Sequence, residues 1–404
     1  MNRKRFLLSG GTLLAGLGGA PLWLARAASA LAAPRRTLVV VFLRGAADGL
    51  NILPPLGDAR YRALRPSIHL PEPGRPGGAL ALGGPFGLHP ALEPLMPFYK
   101  EGSLGFVHAA GSPSTSRSHF DAQDFMETGS AGGRMYEEGW MSRALERGHA
   151  WRTGPLAAVS VTARLPRSLR GRAPAMAFTD ADQVRSGGLK AASFEEMYDE
   201  AVDALLAGAA HDLKGAARLL GGVPPKSKGD AEAAGYPKGG LGRDLFELGR
   251  LLKADVGVRL GFVEAGGWDT HSDQGASEGR LAQRLGELGG ALAAFRKDLG
   301  PRAQDTLVVA MTEFGRTVQE NGNRGTDHGH GSAMLLLGAG VRGGRVHGRW
   351  PGLAAGELFE GRDLAVTTDY RQVLTEALRG PMGLADLAGV FPGFKSGAET
   401  GAFS

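Results

Sequence analysis

Between Val263 and Gly331 the chain gathers carboxylates and imidazoles into three short clusters. They read Val263-Glu264-Ala265-Gly266-Gly267-Trp268-Asp269-Thr270-His271, then Thr312-Glu313-Phe314-Gly315-Arg316-Thr317, then Gly325-Thr326-Asp327-His328-Gly329-His330-Gly331. Carboxylate oxygen with imidazole nitrogen is the donor set of zinc, manganese or iron. Asp269 and His271, two apart on a loop or strand end, can face the same side. They can share a metal, or one can orient the other. Asp327, His328 and His330 add three donors within four residues, and Gly325, Gly329 and Gly331 let the backbone fold tightly around an ion. Glu313 can be a ligand or the partner of Arg316 in a buried ion pair. Asp48, after the first apolar run, can be a ligand or simply the Asp of an Asp-Gly turn. The chemistry indicated is a site for one or two divalent ions.

A second group lies upstream. Gly111-Ser112-Pro113-Ser114-Thr115-Ser116-Arg117-Ser118-His119 runs into a helix expected over Phe120–Thr128 and closed by Gly129. Helix N-terminal amides and Arg117 would attract phosphate or sulfate, and Ser116 or Ser118 could act as a nucleophile. The plainer use of such serines is to cap the helix. His69, His89, His149, His211 and His347 stand alone and read as structural, while His108 ends a strand near this loop and stays open. Gly338-Ala339-Gly340-Val341-Arg342-Gly343 imitates a dinucleotide fingerprint, but no helix follows to receive a pyrophosphate.

Short apolar runs must position these groups. Thr37–Leu43, Leu104–His108, Ala157–Thr162, Ala175–Phe178, Val258–Val263, Thr306–Met311 and Ala333–Leu337 read as strands. Helical patterns cover Pro90–Lys100, Phe194–Ala207, Asp212–Leu220 and Glu278–Leu299. Continuous apolar strands alternating with helices predict an α/β fold with a mostly parallel central sheet flanked by helices and loop-rich insertions. The site clusters then fall at the carboxyl ends of strands, where open α/β sheets bind ligands. Residues 221–240, with Pro224-Pro225-Lys226-Ser227-Lys228, read as a mobile linker or insertion.

The first 33 residues read as an export signal. Arg3, Lys4 and Arg5 precede a glycine-softened apolar stretch, and Ala28-Ser29-Ala30 offers a cleavage site. Asn2-Arg3-Lys4-Arg5-Phe6-Leu7 is twin-arginine-like, with Lys4 where the second arginine would stand. The full 404 residues carry +5. Removing Arg3, Lys4, Arg5 and Arg26 takes four charges from five and leaves +1, so the basic balance does not point to nucleic acid. The chain has no cysteine, which excludes thiolate metal sites and thiol catalysis.

Taken together, Arg44-Gly-Ala-Ala-Asp-Gly-Leu-Asn, Ser118-His-Phe-Asp-Ala-Gln, Gly266-Gly-Trp-Asp-Thr-His, Thr312-Glu-Phe-Gly-Arg-Thr and Gly325-Thr-Asp-His-Gly resemble the secreted bacterial family catalogued as domain of unknown function 1501. That family is grouped with the alkaline phosphatase-like superfamily. The resemblance implies one such domain over residues 34–404. It implies that Asp48 matches the metal-binding Asp after the first strand, and that Asp269 and His271 serve one metal. His330-Gly331 resembles the superfamily's late His-Gly. Glu313-Phe314 replaces its Asp-His pair, with Asp327-His328 supplying what Phe314 cannot. Its nucleophile position falls beside His119, at Ser118. The expectation is an exported metal-dependent hydrolase of phosphate or sulfate esters, with Ser118 attacking and Arg117 or Arg44 neutralising the transferring group. The partners expected are a small anionic ester and the export machinery. The alternative is a non-catalytic exported binding protein that keeps the fold and one metal. In either case the cofactor is zinc, manganese or iron.

Overall fold

The computed structural model describes residues 36–152, 154–185 and 204–404. The export-signal expectation, and the helix expected to begin at Phe194, lie wholly or partly outside these residues. Strand β1 spans Thr37–Leu43, and a one-turn helix α1, Gly49–Ile52, follows it. A small antiparallel hairpin (β2 Leu80–Ala81, β3 Gly87–Leu88) precedes β4, Leu104–Gly111. Helices α2 (His119–Thr128) and α3 (Trp140–Arg147) lead to β5 (Ala158–Ser160) and β6 (Met176–Ala177). Then come α4 (Gly240–Lys253), β7 (Leu260–Ala265), α5 (Arg280–Asp298), β8 (Thr306–Thr312) and β9 (Ser332–Gly338). The chain ends with β10 (Val346–His347), β11 (Thr368–Asp369) and α6 (Tyr370–Arg379).

Nine strands make one sheet in the order β10-β4-β9-β8-β1-β7-β5-β6, with β11 also paired to β4. All pairings are parallel except those of β9, which runs antiparallel to both β4 and β8. The expected α/β fold with a mostly parallel, helix-flanked sheet is therefore present. β1 occupies the interior because Thr-Leu-Val-Val-Val-Phe-Leu offers apolar, largely β-branched side chains on both faces. Val39, Val41 and Leu43 enter one apolar layer, and Leu38, Val40 and Phe42 the other. That alternation is the strand's own two-residue period.

The helices cover the two layers with their apolar stripes. α4 contributes Leu241, Leu245, Leu248 and Leu252 to the first layer, and α5 adds Leu281, Leu285, Leu288, Leu292 and Phe295. α3 and α6 close the second with Trp140, Met141, Ala144 and Leu145, and with Tyr370, Val373, Leu374 and Ala377. The pattern expected over Pro90–Lys100 divides into a 3-10 turn, Pro90–Leu95, and a short helix, Met96–Lys100. Pro94 and Pro97 lack the N–H donors that a continuous α-helix needs. The stretch 221–240 is tied to the body by buried Val223 and Tyr236 and by Lys226 Nζ, 2.9 Å from Glu247 Oε2.

Candidate metal centre

Loops leaving the carboxyl ends of β7 and β8, the loop entering β9 and the first turn of α2 meet at one point. His119 is the first residue of α2, which Ser118 caps through its hydroxyl. Asp269 and His271 lie just after β7, and Glu313 directly follows β8. The loop bearing His328 is drawn against Arg316 by an isolated bridge between the two backbones. Close approach explains the glycines here. A Cβ on Gly325 would stand 2.4 Å from the His271 carbonyl carbon, and one on Gly329 2.4 Å from that of Arg316.

Three imidazoles converge on a single carboxylate oxygen. Asp269 Oδ1 is 3.0 Å from His271 Nε2, 3.3 Å from His328 Nε2 and 3.5 Å from His119 Nε2. The Nε2 atoms of His271 and His328 are themselves 3.0 Å apart. The opposite nitrogen of each ring meets an acceptor. His119 Nδ1 lies 2.8 Å from Glu313 Oε1, His271 Nδ1 3.0 Å from Asp327 Oδ1, and His328 Nδ1 2.8 Å from the Arg117 carbonyl. Serving those acceptors requires the proton on Nδ1, which leaves the Nε2 lone pairs facing one another. His119 Nε2 is buried and has no hydrogen-bond partner.

This is the arrangement of metal-ligating histidines, whose second nitrogen is oriented by a carboxylate or carbonyl. One donor atom each from His119, Asp269 and His328 lies within 4.8 Å of the others, so the three can hold an ion, and His271 Nε2 adjoins two of them. Metal–nitrogen bonds of about 2.0–2.1 Å at tetrahedral angles put donors roughly 3.3 Å apart. The observed contacts bracket that separation, and the nitrogen and oxygen donors suit zinc, manganese or iron.

Charged neighbours fix the protonation of the cluster. Burial pushes the Asp269 carboxyl up, but the hydrogen bond and charge of Arg316, with the charges of His271 and His119, hold it below the ordinary range. Arg316 is buried and also donates to the carbonyls of Gly45, Ala46, Trp268 and Thr326, tying three loops to Asp269. Burial likewise raises Glu313, yet hydrogen bonds from His119, Gln123 and Thr312 and from its own backbone lower it overall. The Glu313 hydrogen bond in turn raises His119 against the effect of burial, while burial lowers His328.

A family model described as a protein of unknown function, DUF1501, matches residues 35–391. The chain belongs to the DUF1501 family. Comparison with curated proteins finds no match.

Not every residue singled out from the DUF1501 sequence joins the cluster. Asp48 is sealed in a separate buried network: its Oδ2 accepts from Arg65 Nη1 at 2.5 Å and Gln274 Nε2 at 2.6 Å, and its Oδ1 caps α1. It is held as an ion-pair partner and helix cap, apart from the three histidines. Glu313 neither pairs with Arg316 nor faces the convergence point. Its two oxygens are taken by His119, Gln123, the Gly45 amide and Thr312. Asp327 orients His271 with one oxygen. His330 stacks on Phe359, ring centroids 4.2 Å apart.

The candidate catalytic groups divide in the same way. Ser118 Oγ accepts the Asp121 amide at 3.4 Å, and Ser116 Oγ accepts the Ser118 amide. The Arg117 guanidinium is held by Asp363 at 2.7 Å and Glu360 at 2.6 Å, and its contribution to the cluster is the carbonyl under His328. Arg44 spans Glu264, Gln123 and Glu127. His119, counted among the catalytic candidates, lies among the residues that could hold an ion. His108 is buried within β4, bonded to the Leu53 carbonyl. Sequence reasoning missed Arg316 as the anchor of Asp269 and Phe314 as the ring packed against both His119 and His328. The adjacent Gly-Arg in Thr312-Glu-Phe-Gly-Arg-Thr was the signal available for Arg316.

Proposed function

We propose that this protein is an exported, metal-dependent hydrolase of phosphate or sulfate esters, of the alkaline phosphatase-like kind, built on a single ion. The observation that carries the reading is the convergence of three imidazole Nε2 atoms on Asp269 Oδ1, each ring being fixed by an acceptor at Nδ1. His119, Asp269 and His328 would hold the ion, with His271 as the fourth donor. When bound, a divalent ion supplies Lewis-acid polarisation of an ester oxygen and charge stabilisation in the transition state. Ser118, adjacent to His119, is the nucleophile of this reading. Its Oγ would bond to phosphorus or sulfur as the alcohol oxygen leaves. Its capping bond is long, at 3.4 Å, so releasing it costs the helix little. Arg117 and Arg44 hold carboxylates and act as braces for the site. Nucleic acid has no part in this function.

Metal content per chain, measured on mature protein purified without chelator, tests the centre. Ester turnover in the variants tests the chemistry. His328→Ala should lose both metal and turnover, and Ser118→Ala should keep the metal and lose turnover. A specific observation also favours a second reading, an exported binding protein with one metal. Asp48, where a second ion would be expected, is closed off by Arg65 and Gln274. Stoichiometric metal with no hydrolysis of any phosphate or sulfate ester would select that reading.

A further inference from the structure

Beside the metal cluster, α2 forms one wall of a cleft of about 400 Å³. Phe120, Gln123, Asp124 and Glu127 line it, at the spacing of a single helical face. The opposite wall is the loop after β5, which carries Arg164 and Arg170. The floor is made by Arg44 and Glu264, at the carboxyl ends of the paired strands β1 and β7. Cleft and cluster therefore share a helix. His119 opens α2 toward Asp269, the next residue lines the cleft, and Gln123 Nε2 donates to the same Glu313 oxygen that His119 Nδ1 engages.

Two features of this cleft contrast with its paired surroundings. Phe120 is 86 % exposed, the largest exposure of any large apolar side chain among the described residues. An aromatic face left in water beside a polar cleft serves no packing role, but it is a platform for another flat ring. Arg164 and Arg170 are exposed, and among the described residues neither makes an ion pair with a carboxylate, whereas Arg44 and Arg167 in the same cleft are paired. Arg170 Nε donates to the Leu165 carbonyl at 3.2 Å, which steadies the side chain without supplying a counter-charge; guanidinium groups recognise carboxylate or phosphate in a bidentate manner.

We infer that the Phe120 cleft is the subsite for the organic half of the substrate, and that it takes an aromatic ring bearing a second anionic group. The ring lies on Phe120 and the anion meets Arg164 and Arg170, while the ester reaches the cluster over the first turn of α2. This inference rests on the ester-hydrolase reading for the ester group alone; the cleft itself is tested separately from the metal.

The experiment is calorimetric titration of the full mature protein, before and after metal loading, with inorganic phosphate, phenyl phosphate and 4-carboxyphenyl phosphate. Each added feature should tighten binding about tenfold, the equivalent of 1.4 kcal/mol. Phe120→Ala should erase the advantage of phenyl phosphate over phosphate, and Phe120→Trp should retain it. Arg164→Ala with Arg170→Ala should erase the advantage of the carboxylate. These side chains are exposed, so the variants will fold. Equal affinity for the three probes, or unchanged affinities in the variants, overturns the subsite. Phe120-dependent binding in a protein that holds no metal would keep the subsite and remove the hydrolase reading. Metal-dependent turnover indifferent to Phe120 would do the reverse.

Discussion

Arg316 and Asp48 are both buried and ion-paired, yet their neighbours give them opposite functional weight. Arg316 orients Asp269 while satisfying four backbone carbonyls, so Lys, with the same charge and fewer directed donors, cannot replace it. Arg316→Lys should weaken metal affinity about ten- to hundredfold, as changes to residues that orient ligands do. Competition against a chromogenic chelator will measure it, and unchanged affinity would separate Arg316 from the centre. Asp48→Asn should leave metal content intact and lower stability by about 3–5 kcal/mol, because Arg65 would remain buried without its counter-charge. Urea unfolding with a parallel metal assay checks both halves. At this scale the sequence disclosed Asp269, His271 and His328, since each stands in a short glycine-rich cluster with other donors. It concealed the destination of Asp48, because nothing distinguishes Arg65 from its neighbours Arg60 and Arg62 in a proline-rich stretch. It also concealed that His119, which sits far upstream as a helix start, joins Asp269 and His328 in the cluster.

His108 within β4 and His89, which caps the 3-10 turn Pro90–Leu95, each have both ring nitrogens already committed. His108 Nε2 donates to the Leu53 carbonyl while Nδ1 accepts the Ala109 amide. His89 Nε2 donates to the Ala276 carbonyl while Nδ1 accepts the Ala91 amide. A second proton would set N–H against N–H, and burial lowers both rings to about 4. With folded values below unfolded ones near 6.5, the unfolded chain binds more protons across that interval. Stability is therefore full above about pH 6.5 and falls as pH drops toward about 4, by on the order of 3 kcal/mol per histidine. Thermal melts of metal-free protein at a series of pH values should show this slope, and His108→Gln should flatten it. Among the elements, β1, β7, β8 and β9 were legible as unbroken apolar runs. Helices α3, α4 and α6 were not: α3 is short, and in α4 and α6 the buried charges Glu247, Arg250, Arg371 and Glu376 interrupt the apolar stripe that would reveal a helix. The direction of β9 was equally hidden, since strand residues encode burial rather than orientation.

The molecule as a whole draws the donors that could hold an ion from the first turn of α2 and from the loops that follow β7 and precede β9. A ligand that binds only the assembled form stabilises it by mass action. Free zinc or manganese at a thousandfold excess over its dissociation constant should add about 4 kcal/mol and raise the melting temperature. His328→Ala should abolish the rise while melting like the metal-free parent. A parent whose melting temperature ignores added metal would deny the centre. The same long-range assembly governs how the chain comes to be folded at all. β1 precedes the other strands among the described residues and lies in the interior of the sheet, yet its two neighbours begin only at Leu260 and Thr306. At typical synthesis rates of about 5–20 residues per second, Thr37–Leu43 waits on the order of tens of seconds for both partners. Throughout that interval an aggregation-prone apolar ribbon is open at both edges. Slow folding and reliance on a holding chaperone are thus written into the strand order, independently of anything the finished site does.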